Sequence, residues 1–88
     1  MEEKKPLKVK NLKVIDHLGI LYATFDGTNM WEVDKVAYGL LKMCDGTKTF
    51  DQIVQEVAIK ANLDFDALRP TLVEIFKEME KLNFIVYV

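Results

Sequence analysis

The stretch "KMCDGTKTFDQI", residues 42–53, sets the only cysteine of the chain beside an aspartate, a glycine and a run of small polar residues. A thiol becomes reactive where a helix N-terminus or a nearby cation lowers its pKa. Upstream, Val36, Ala37, Leu40, Met43 and Cys44 recur at three- and four-residue spacing behind Asp34, a good N-cap. The spacing predicts a first helix over about 35–44. Cys44 then sits at the C-terminal end, where the helix dipole disfavours a thiolate and Asp45 adds to the effect. Gly46 suits the left-handed residue that closes a helix. Thr49 and Gln52 have capping-box spacing, and Phe50, Ile53, Val54, Val57 and Ala58 form one apolar stripe, which predicts a second helix over about 50–60. Residues 42–53 therefore read as a corner between two helices with Cys44 turned inward.

Before this corner the chain has β character. "LKVIDH" (12–17), "GILYATF" (19–25) and "NMWEV" (29–33) read as strands, and "DGTN" between the last two signals a hairpin. Within the second strand Ile20, Tyr22 and Thr24 share one face while Leu21, Ala23 and Phe25 share the other. Alternation leaves open which of these faces the core; Trp31 and Val33 share a face in the third. After the corner a third helix is expected over about 67–82. Pro70 requires the helix to start close by, which selects Asp66 rather than Asp64 as its cap. Asn83 fits a left-handed residue after that helix, and "FIVYV" returns to β character. The expected order is β-β-β-α-α-α-β, an α+β domain.

With 88 residues, half of them apolar and 30% charged, the chain forms one globular domain. It has no apolar run of about 20 residues and no signal-peptide pattern, so no membrane span is expected and the reading is cytoplasmic. A lone cysteine excludes an intrachain disulfide and a thiolate metal set. The net charge of −2 hides an asymmetry. Residues 1–13 carry Lys4, Lys5, Lys8, Lys10 and Lys13 against Glu2 and Glu3, whereas the remainder is acidic. Residues 1–11 are read as a basic arm, its purpose open, and residues 12–88 as the domain.

The segment "WEVDKVAYGLLKMCDGTKTFDQIVQEV" (31–57), with "LRPTLVEIFKEMEKLNFI" (68–85), resembles the PqqD family of peptide-binding chaperones, also called RiPP recognition elements. Asn83 stands where the family commonly has glycine, and Asp34 where it often has asparagine; both keep the backbone role. The resemblance implies a winged helix-turn-helix with a three-stranded sheet. It also implies that the leader of a ribosomally made precursor peptide adds as a strand beside the third strand, with the last helix as the other wall. Carried onto this chain, the strand wall is Asn29, Met30, Trp31, Glu32 and Val33. By the family's pattern the peptide is presented to a modifying enzyme, often a radical SAM/SPASM protein, and any cluster belongs to that partner. The exposed strand edge also leaves a homodimer open.

The helix wall can be read from periodicity. At 100° per residue Leu68, Leu72, Ile75, Met79 and Leu82 form one core stripe, while Arg69, Val73, Phe76, Lys77 and Glu80 make a second, mixed face suited to a peptide. There Val73 and Phe76 would take apolar anchors, and Arg69 or Lys77 would pair with leader acids. The alternative reading is a winged-helix nucleic-acid-binding domain. Against it, the third helix sets Arg69, Lys77 and Lys81 against Asp66, Glu74, Glu78 and Glu80, so only the N-terminal lysines favour nucleic acid. Glu74 and Glu78 have no nucleophile, metal-ligand set or phosphate loop beside them, so no catalysis and no cofactor is expected.

Overall fold

The computed structural model describes residues 4–88. Its elements are β1 (Pro6–Lys8), β2 (Lys13–His17), β3 (Ile20–Thr24), β4 (Met30–Val33), α1 (Lys35–Met43), α2 (Phe50–Ala61), α3 (Phe65–Lys81) and β5 (Ile85–Tyr87). The α+β order is as expected, with one strand more. Strands β2, β3 and β4 form an antiparallel sheet in that order, and β1 pairs with β5 in a second, two-stranded sheet.

Strand register settles the face that alternation left open. Leu21 lies opposite Val33 and Ala23 opposite Trp31. Ala23 is fully buried, so this face meets the helices. The core runs from Leu12 and Ala23 through Leu40, Leu41, Ile53 and Val54 to Leu72, Phe76, Met79 and Phe84. The other face leaves Ile15, Ile20 and Met30 exposed. Strands β2 and β3 turn through Leu18 and Gly19, both at positive φ. Leu18 is 90% exposed in a left-handed conformation that disfavours side chains with a Cβ. The Asp-Gly signal gives five loop residues, 25–29, rather than a tight turn. Asp26 gathers that loop by accepting the Thr28 and Asn29 N–H groups, both at 2.8 Å, and those bonds hold its carboxyl below the usual range.

The corner at residues 42–53 is built as its residues dictate. Asp34 Oδ1 accepts the Ala37 N–H at 2.7 Å, and Gly46 has φ +80°. Thr49 accepts the Gln52 N–H while Gln52 Oε1 accepts the Thr49 N–H, a complete capping box. The first unforeseen feature lies alongside. Residues of the basic arm form β1 between β5 and the corner, where Lys8 N–H donates to Cys44 O at 2.8 Å and Gly46 N–H to Pro6 O at 2.9 Å. Three residues opened by a proline carry no readable period, and proline is tolerated as the first residue of a strand.

A second correction concerns α3, whose cap is Asp64 and not Asp66: Asp64 Oδ2 accepts the Ala67 N–H at 3.1 Å. Pro70 therefore lies inside the helix. It removes one backbone donor, yet Asp66 and Pro70 are both exposed, so water can take the freed carbonyl. Urea denaturation should show Asp64→Ala costing about 1 kcal/mol, and Asp66→Ala, which removes only a first-turn charge, clearly less.

Candidate functional site

Strand β4 is an edge: among the described residues it pairs with β3 alone. One side of its backbone therefore lacks a ladder partner. Beside it, a groove of about 220 Å³ runs between β4, the first turn of α1 and the C-terminal half of α3. Val33, Ala37, Ile75, Met79, Leu82 and Phe84 supply its apolar surface. Its charged residues are Glu32, Asp34 and Glu78, all acidic. Ala37 adds only a methyl group to the wall of the groove. At the end of the core face Trp31 stands edge-on to Phe25 and Phe84, with centroids 6.0 and 5.8 Å away. At 37% exposure it ties the edge to the core while remaining in reach of solvent.

Of the five residues expected to form the strand wall, four lie on this edge strand. Met30, Trp31, Glu32 and Val33 form β4, whereas Asn29 belongs to the loop, where its side-chain amide donates to Asp26 Oδ2 at 2.9 Å. The expected helix wall lies elsewhere. Arg69, Val73, Phe76, Lys77 and Glu80 line a separate cleft of about 230 Å³ with Phe50 and Tyr87, and none of them lines the β4 groove. Phe76 is 2% exposed and packs edge-on against Phe50 at 4.9 Å, so it is core.

The charges of that second face are largely used within the domain. Arg69 Nε donates to Asp51 Oδ1 at 2.7 Å, and its guanidinium lies over the Phe50 ring. Tyr87 donates its hydroxyl to Glu80 Oε2 at 2.9 Å; burial, then this bond, pushes the phenol pKa up. The residues that face β4 are instead Ile75, Met79 and Leu82, which periodicity assigns to the core stripe. Apolar spacing cannot separate a core from a groove, since both call for apolar residues. A usable signal was Glu78, an acid set between Ile75 and Leu82 on that same stripe.

Cys44 is buried, and its thiol donates to Leu40 O at 3.3 Å. Burial, with Asp45 adding to it, pushes the thiol up to about 12. At pH 8 iodoacetamide should leave Cys44 unlabelled in the folded protein and label it once urea unfolds the chain. Rapid native labelling would place Cys44 at the surface. No group of three or more metal-ligating side chains occurs among the described residues, and no helix there is long and apolar enough to cross a membrane.

Among family models the chain matches Coenzyme PQQ synthesis protein D (PqqD) over residues 21–85, from β3 to the start of β5. No curated protein and no solved structure matches it.

Proposed function

This chain belongs to the PqqD family, and from that premise we propose that it binds the leader of a ribosomally made precursor peptide and presents it to a modifying enzyme. The observation that carries this reading is the unpaired edge of β4 beside an apolar groove walled by α3. An extended peptide laid along β4 gains backbone hydrogen bonds that need no particular sequence. Its alternate side chains then enter the groove, which selects among sequences. Because Glu32, Asp34 and Glu78 are the charged residues of that groove, the favoured leader carries lysine or arginine beside its apolar anchors.

Presentation is a matter of proximity. A leader held on the domain raises the local concentration of the attached core peptide at an enzyme bound to the same domain, and no bond is made or broken here. The modifying enzyme is, in this proposal, a radical SAM protein that holds its own cluster, and the setting is the cytoplasm. The winged helix-turn-helix reading of α1 to α3 with β5 belongs to the same proposal. Pairing of two β4 edges between copies would compete with the leader, so a copy paired through β4 cannot bind it. Nucleic acid is disfavoured by α3, where Arg69, Lys77 and Lys81 are outnumbered by Asp66, Glu74, Glu78 and Glu80.

Trp31, the only tryptophan, lies on β4 and reports on it directly. Titrating the protein with peptides encoded by short reading frames beside its gene should give a saturable change in Trp31 emission with one of them. Changing that peptide's basic residues to glutamate should weaken it. A saturable response to duplex DNA, with none to any such peptide, would contradict the proposal.

A further inference from the structure

A cavity of about 480 Å³, more than twice the size of the β4 groove, opens between β1, β2 and the C-terminal half of α1. Leu7, Leu12, Val14 and Leu41 make its apolar surface, and Lys8, Lys42 and Asp45 supply its charges. Leu7, Lys8, Leu12 and Val14 precede residue 21, so more than a third of the lining lies outside the part of the chain that matches the family.

Both ammonium groups are held in place before anything binds. Lys8 Nζ donates to Leu12 O at 2.8 Å and to Val9 O at 3.2 Å, and Lys42 Nζ sits 4.8 Å from the centre of the Tyr38 ring. Among the described residues neither lysine forms an ion pair, while Lys48, Lys60 and Arg69 all do. Asp45 is turned to Thr47, accepting its N–H and its hydroxyl. The C-terminal end of α1 opposes an anion here, so the lysines must supply the attraction.

We propose that this cavity docks an acidic segment of a partner protein, with a leucine-sized side chain seated on Leu12, Val14 and Leu41 and carboxylates on Lys8 and Lys42. Preplaced donors lower the ordering cost of such a contact. The β4 groove, acidic in every charged residue, prefers ligands of the opposite sign. One segment cannot suit both, so the occupant is distinct from the leader. This inference stands whether or not the leader reading holds.

The test uses the full chain, isotope-labelled, and an acetylated, amidated probe peptide of sequence Glu-Glu-Leu-Leu-Glu-Glu-Leu-Leu-Glu-Glu. Val14 and Leu41 methyl signals and the Tyr38 ring should shift on titration while amides of 30–33 stay in place. Lys42→Glu should weaken the probe about fivefold or more, with Lys42→Gln falling between it and the parent. Thermal melting verifies that both variants fold. Shifts centred on β4, affinity indifferent to Lys42, no binding, or a response to decanoate but not to the peptide would each overturn the proposal, the last by assigning the cavity to a small amphiphile.

Discussion

Phe76→Ala should remove about 3–5 kcal/mol of folding stability, read from urea denaturation. For a domain whose whole stability is of order 5–15 kcal/mol, that takes about a fifth of it or more. The Phe76 ring is sealed from solvent, stands edge-on to Phe50 and belongs to the cluster that holds Leu72 and Met79. Truncation leaves a void that the two helices cannot close without moving. Val73→Glu, at a half-buried position on the same side of α3, should leave leader binding unchanged. A stable Phe76→Ala protein that loses only peptide affinity would show that the second cleft, and not the β4 groove, is the binding site.

The contrast between these two residues and the groove shows how far the sequence could be read. The corner and the helix before it were legible because each part is a local device: Asp34 and Thr49 as caps, Gly46 as the left-handed residue, and Gln52 completing the box. The β3–β4 pairing was legible for the same reason, since a hairpin links neighbours in sequence. What failed was non-local. Strand β1 exists because Pro6 to Lys8 meet β5 and the corner, partners about 80 and about 40 residues away, which no window of sequence contains. On α3 periodicity puts Phe76 on the mixed face, whereas the structure buries it with Leu72 and Met79; Ile75 and Leu82 pack against that core as expected and also line the groove. Apolar residues on both sides keep helical period, and only the placement of β4 and α2 against the helix decides which of them are covered. A strict helix limit at Pro70 selects Asp66, but an exposed proline leaves its orphaned carbonyl to water, so the helix can start at Asp64.

Ala37→Phe should abolish most leader binding while leaving the fold intact. Ala37 lines the groove from the first turn of α1 and is half-buried, so a phenyl ring there has the open groove to occupy. The ring would take space that an apolar anchor of the leader would fill. Burial of one such side chain is worth about 1.5–3 kcal/mol, so affinity should fall roughly tenfold to a hundredfold. Trp31 emission against peptide concentration gives the affinity, and the melting temperature checks the fold. Unchanged affinity in a folded Ala37→Phe protein would mean that the leader does not enter this groove.

Strand addition at β4 is tested most directly by intermolecular nuclear Overhauser contacts in the leader complex. The prediction is a ladder of backbone contacts between the bound peptide and Met30, Trp31, Glu32 and Val33, with peptide side chains reaching the methyl groups of Ile75, Met79 and Leu82. Backbone contacts to β2 at Lys13–His17, or side-chain contacts gathered on Val73 and Lys77 with none to β4, would contradict it.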